Sequence, residues 1–248
     1  VSLDLSFLLG FLTVFLRFGA AFLAAPFFGG GNVSVQVRVL CAAAIALALG
    51  PITPVVAPQS LLELAMWVGQ EVLSGLAIGF FFGLITQAAQ VAGAIIDLQM
   101  GLALSQALNP LTGVPVTVLA QFKVMLCAVL LFITGGHHLL IRAAASSYTV
   151  MPLRTDALPA TAVEMVAGMF LVAMQLAAPV LAVTFLIDVA LGVMTRAVPQ
   201  MQALVMGVAA KTLLSLVVLS AALPALTLAV DSGLSRVGAA LQSLGGQP

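Results

Sequence analysis

Charge is what this chain has least of. Among 248 residues there are eight Lys or Arg and eight Asp or Glu, 6% in all, and the formal net charge is zero. Soluble domains carry about a quarter charged residues, and a folded sphere in water needs that polar cover. With 62% hydrophobic residues instead, the chain belongs in a membrane, or in an assembly that buries nearly all of it. The lack of a basic patch or an acidic tail excludes nucleic acid as a partner. Cysteine is scarce too. Cys41 and Cys127, far apart and with no C-x-x-C spacing, make neither a disulfide framework nor a metal site, and both read as small core hydrophobes. No G-x-x-x-x-G-K-[ST], H-E-x-x-H or G-x-S-x-G string occurs. The sequence therefore carries no nucleotide-motor, zinc-hydrolase or serine-hydrolase signature, and no enzyme activity, metal or cofactor is expected.

What the chain does have is long apolar runs. Six blocks, about 5–25, 37–57, 65–96, 122–143, 161–192 and 203–230, approach or exceed the roughly 20 apolar residues of a membrane span. They are Ala/Leu-rich without period-2 alternation, so helices are the spanning form and the fold class is all-α. The first block ends in small residues before Pro26, but no basic stretch precedes it and Arg17 interrupts it, so it reads as an uncleaved first helix. Gly29 to Gly31 with Asn32 and Ser34 make a turn before Arg38 opens the second block. Pro51, Pro54 and Pro58 break the chain after it. Ser60 with Glu63 forms a capping box for the third block. The fourth block ends at GGHHLLIRAAASSY, in which the adjacent His137 and His138 point to different sides of a helix. The one ordinary polar loop is MPLRTDALPATAVE, where Thr161 and Glu164 mark a helix start. Pro199 then closes a helix, leaving a hairpin of 161–197 and 202–230 with a tail that extends as a weakly amphipathic helix to Leu244.

The third block carries the most information. Glu71, Gly75, Gly79 and Gly83 recur every four residues, and Gln87, Gln90, Ala94 and Asp97 prolong the stripe. Two overlapping G-x-x-x-G steps allow another helix to approach closely, and the Gln/Asp end suits a polar channel. In the fifth block Asp188, Gly192 and Arg196 follow at four-residue steps, with Gln200 after Pro199. Asp188 and Arg196 are two turns apart, too far for a direct ion pair, so each is expected to find a partner on another helix.

Between the third and fourth blocks lies DLQMGLALSQALNPLTGVPVTVLAQF, Asp97 to Phe122. Pro110, Gly113 and Pro115 rule out a continuous helix. The stretch is too apolar and uncharged to be disordered, and long structureless loops inside compact folds are usually functional. It is expected to pack against something or to close something.

Threading six spans through a bilayer and counting loop cations gives no orientation. Arg142, Arg154 and Arg236 fall on one side and Arg38, Lys123 and Arg196 on the other. Arg17 and Lys211 are stranded within spans with Glu71 and Asp188, and all four need partners there. An intramembrane polar path would explain this. So would a subunit whose helices pack into a larger assembly.

Several pieces, in order from about residue 10 to 230, resemble the FliR family of flagellar export-gate proteins and their SctT counterparts in virulence type III secretion. They are Arg17 with Pro26, the helix start at Arg38, and Glu71 with Gly75, Gly79 and Phe80. Next come Gly93 followed by IIDLQMGLA, Asn109-Pro110 with Pro115, Gly136-His137, and Ser147 with Pro152. The last is L-G-x-x-x-R-x-x-P-Q from Leu191 to Gln200. Asn109 departs from the Asp common in the family, although Asn supports the same turn.

The resemblance implies membrane-associated helical hairpins in a closed helical assembly of the bacterial inner membrane, within the flagellar basal body. One copy of this chain would join about five FliP-like and four FliQ-like subunits, with FlhB-like and FlhA-like components at the entrance and unfolded export substrates as cargo. Residues 1–150 would be the FliP-like part and 151–248 the FliQ-like hairpin and tail. The loop 101–118 would be the pore plug: Leu102, Leu104, Leu108, Leu111 and Val114 would seal, Gly101 and Gly113 would give mobility, and Asn109, Pro110 and Pro115 would set its turns. Arg17, Glu71, Gly75, Gly79, Gly83, Gln87, Gln90, Asp97, Asp188, Arg196, Gln200 and Lys211 would serve subunit interfaces or a polar path. The alternative is a small-solute or ion-coupled transporter with Glu71, Asp97 and Asp188 as carriers, for which no internal repeat is visible.

Overall fold

A computed structural model describes residues 5–25, 33–53, 58–101, 118–150, 158–197 and 203–244. These hold seven α-helices: α1 (Leu5–Ala24), α2 (Val35–Leu49), α3 (Leu61–Met100), α4 (Val118–Ile133), α5 (Gly136–Val150), α6 (Leu158–Ala197) and α7 (Ala203–Leu244). A short 3-10 turn, Gly50–Ile52, follows α2. Helices α1, α2, α3, α6 and α7 are each long and apolar enough to cross a membrane. Together α4 and α5 make a sixth candidate, bent by 66°.

The helix ends follow local chemistry. The Ser34 hydroxyl accepts the Val37 N–H and caps α2. Ser60 accepts the Glu63 N–H at 3.2 Å while the Glu63 carboxylate accepts the Gln59 N–H at 2.8 Å, a capping box reaching one residue further back than expected. Pro51 sits in the 3-10 turn that ends α2; α6 is described as far as Ala197, and Pro199 lies outside the described residues. The tail continues as helix to Leu244, as its pattern indicates.

Three expectations are corrected. The block 122–143 is not one helix. The chain breaks at Thr134–Gly135, where Gly135 takes φ +76°, a conformation nearly reserved for glycine. Helix α6 begins at Leu158, not Thr161, because Pro159 is well suited to the first turn. Cys127 is buried, its thiol directed at the Ile85 carbonyl, but Cys41 is exposed on α2.

The chain divides into two compact units, and the division falls inside α3, α4, α6 and α7. Val1–Leu84, Phe132–Val166 and Leu234–Pro248 form the first, Ile85–Leu131 and Ala167–Gly233 the second. In the first unit Val14, Phe18, Ala21, Ile78, Phe81 and Leu140 are fully or almost fully buried. There α1 meets the 3-10 turn so closely that a side chain on Gly10 would overlap the Gly50 carbonyl. In the second unit α6 and α7 run antiparallel: Leu191 lies against Gly207 and Asp188 pairs with Lys211. In the same unit, Met169, Val172 and Leu176 share a small apolar cavity with Leu226 and Val230, together with Ile85, Ala88 and Cys127.

Candidate functional site

In the first unit, Arg17 is the hub. It is 4% exposed, and its partner Glu71 is 6% exposed. The guanidinium donates to Glu71 through Nε and Nη2, each at 2.8 Å, a bidentate pair between α1 and α3. Nη1 donates to the Ser147 hydroxyl at 2.7 Å, and the guanidinium carbon lies 3.9 Å from the centre of the Tyr148 ring. Ser147 in turn donates to the Ala144 carbonyl. One cation thus ties α1, α3 and α5 together, in a low-polarity setting where an unpaired charge would be costly.

The glycines of α3 make that approach possible. A Cβ on Gly75 would overlap the Arg17 carbonyl oxygen and press on Ala20, and one on Gly79 would overlap the Ala21 carbonyl and press on Ala24. The expected G-x-x-x-G groove is therefore filled by α1, with small residues on both sides.

The stripe does not continue as one face. Glu71, Gly75, Gly79 and Gly83 are buried, but Gln87 is exposed and Gln90 half-buried. Each four-residue step overshoots a full turn by about 40°, so Gln87 lies roughly 160° round from Glu71. Asp97 is buried again, with no exposure.

In the second unit, Asp97 accepts the backbone N–H groups of Leu119 at 3.0 Å and Ala120 at 3.1 Å with Oδ2. These are unpaired donors of the first turn of α4, and an acid there is also favoured by the helix dipole. Lys123, counted above as a loop cation, is only 4% exposed. Gly101 ends α3 at φ +78°, its N–H donating to the Leu98 carbonyl at 3.2 Å, so its backbone freedom serves as a helix stop. The other plug residues, Leu102, Leu104, Leu108, Asn109, Pro110, Leu111, Gly113, Val114 and Pro115, lie outside the described residues, as does Gln200.

Lys211 pairs with Asp188 across the α6–α7 hairpin; the side chains are 19% and 47% exposed. Arg196 is exposed in the last turn of α6, where a cation complements the helix end. The four in-span charges thus resolve into two pairs, Arg17 with Glu71 and Asp188 with Lys211. Sequence reasoning missed Tyr148 and the burial of Lys123. Tyr148 is the only tyrosine in the chain, but nothing in its spacing pointed to Arg17.

Comparison with known proteins bears directly on this arrangement. The family described as "Bacterial export proteins, family 1" matches residues 8–237. That range takes in both ion pairs, the glycine groove and Asp97. The chain belongs to the FliR/SpaR family. It is 32% identical to the flagellar biosynthetic protein FliR of Bacillus subtilis over 220 residues, 84% of each chain. It is 36% identical to FliR of Caulobacter vibrioides over 199 residues, 76% of this chain and 78% of that one. The surface presentation of antigens protein SpaR of Shigella sonnei is 30% identical over 210 residues, 83% and 82% of the two chains. As a FliR/SpaR family member, the chain is a membrane protein of the flagellar and type III export apparatus and not an enzyme.

Proposed function

We propose that this chain is a structural and gating subunit of the flagellar export gate, lining a pore for unfolded substrate proteins and plugging it with residues 101–118. The observation that carries the reading is the build of the last two helices. At 40 and 42 residues, α6 and α7 each extend roughly 60 Å, about twice a hydrocarbon core. Phe170, Phe185, Val193, Leu213 and Leu228 are exposed along them. An apolar face of that length is too long for lipid alone to cover, so sister subunits are the natural cover. FliP-like and FliQ-like chains, about five and four to one, with FlhB-like and FlhA-like components, are the proposed neighbours. The antiparallel α6–α7 pair supports a FliQ-like hairpin in 151–248 joined to a FliP-like part in 1–150.

The plug reading is tested by deleting residues 106–113 and measuring leakage of small solutes through assembled complexes. Higher leakage with near-normal assembly is expected. Unchanged permeability with normal assembly overturns the plug. Mass measurement of the gently extracted complex tests the assembly: a stable lone chain that moves a solute in liposomes overturns it in favour of a transporter.

A further inference from the structure

The carboxylate of Asp97 does a task usually left to a neighbouring residue. A helix N-cap ordinarily comes from the position just before the helix. Here the acceptor for the Leu119 N–H stands 22 residues upstream, on the preceding helix. A local cap would satisfy α4 alone, whereas this one also fixes the end of α3 against the start of α4. A second contact lies one turn back. Gly93 approaches α4 so closely that a Cβ would fall on the Cα and N of Ala120. The residues flanking segment 102–117 are therefore tied side by side at two levels. Asp97 Oδ1 makes no hydrogen bond among the described residues.

We propose that Asp97 is a positioning residue whose carboxylate staples the end of α3 to the start of α4 and so fixes the mount that carries the 102–117 segment. The staple concerns α3 and α4 only; its effect on leakage rests on the plug reading.

The test uses the assembled export complex with spin labels at two exposed positions, Leu98→Cys and Phe122→Cys, in a Cys41→Ala, Cys127→Ala background. The distance distribution is expected to be narrow with Asp97 and to broaden in Asp97→Ala; an unchanged distribution overturns the staple. Asp97→Asn keeps a carbonyl acceptor, so its distances stay narrow. Its neutral hydrogen bonds, however, let the Leu119 and Ala120 amides exchange about fivefold faster. Should Asp97→Ala fail to assemble, that exchange decides, and an unchanged rate overturns the proposal. Broadened distances with unchanged leakage would leave the staple standing and count against the plug. Unchanged distances in Asp97→Ala, with leakage in the 106–113 deletion, would do the reverse.

Discussion

Arg17 and Glu71 meet through two parallel 2.8 Å hydrogen bonds, 54 residues apart in sequence and both almost sealed from solvent. Removing one partner leaves a buried charge alone. Arg17→Ala or Glu71→Ala is therefore expected to cost about 3–5 kcal/mol and to abolish recovery of the chain in the complex. Arg17→Lys should also fail in large part, since an ammonium cannot bind bidentately to the carboxylate and reach Ser147 and Tyr148 in the same geometry. An apolar double replacement, Arg17→Met with Glu71→Leu, is expected to recover more complex than either single alanine. Co-purification yield and thermal stability in detergent measure this, and a double variant worse than both singles would contradict it.

The groove on α3 predicts a sharp difference between glycines of the same helix. Gly75→Ala and Gly79→Ala each push a methyl group into an α1 carbonyl, and each is expected to cost about 1–3 kcal/mol. A methyl group placed on Gly69 would meet nothing within 4 Å. Gly69→Ala should be neutral or stabilise by up to about 1 kcal/mol through helix propensity. Melting temperatures of the three variants in one detergent provide the comparison.

At the hairpin, Asp188 and Lys211 are partly exposed, so the expected effect is small. Lys211→Ala should cost no more than about 1 kcal/mol. Lys211→Asp puts two acids face to face and should be worse, and Asp188→Lys combined with Lys211→Asp should recover most of the loss. Arg196→Ala should lie within about 0.5 kcal/mol of the unchanged chain, because Asp188 is already paired with Lys211 and Arg196 is exposed. Yields and melting points of the set, read as a double-mutant cycle, check this.

Gly135 holds the 66° bend between α4 and α5 with a positive φ. Gly135→Val is expected to cost more than about 1 kcal/mol and to disturb the bend, while Gly135→Asn should be milder, since Asn tolerates the left-handed region better. Protease sensitivity near residues 133–138 would report the change, and equal sensitivity of the Val and Asn variants would contradict the backbone argument.

Much of the helical plan was legible because its causes are local. Long apolar runs, the Ser60–Glu63 box and the proline breaks all act within a few residues. The need of Arg17, Glu71, Asp188 and Lys211 for partners was legible too, since a charge in an apolar run cannot stay there alone. Which charge meets which was not, because the pairing depends on how α1 lies on α3 and α6 on α7. The stripe of α3 was read one step too far: a four-residue period looks straight on paper but winds around a helix of 3.6 residues per turn. Gly135 was hidden within an otherwise continuous apolar run, where only the Gly-Gly pair hinted at a break. Asp97 was recognised as important, but its role as a remote cap depends on where α4 begins. The plug residues from Leu102 to Pro115 rest on their sequence and on the family resemblance alone.

Pro179 and Pro224 lie inside α6 and α7. A proline has no N–H, so the carbonyl oxygens of Gln175 and Ser220 lose their ordinary helical donors. Surrounded by hydrocarbon, such oxygens attract any hydroxyl or amide brought alongside. Each helix thus carries one carbonyl whose usual partner the sequence has removed, a polar spot within an otherwise apolar length.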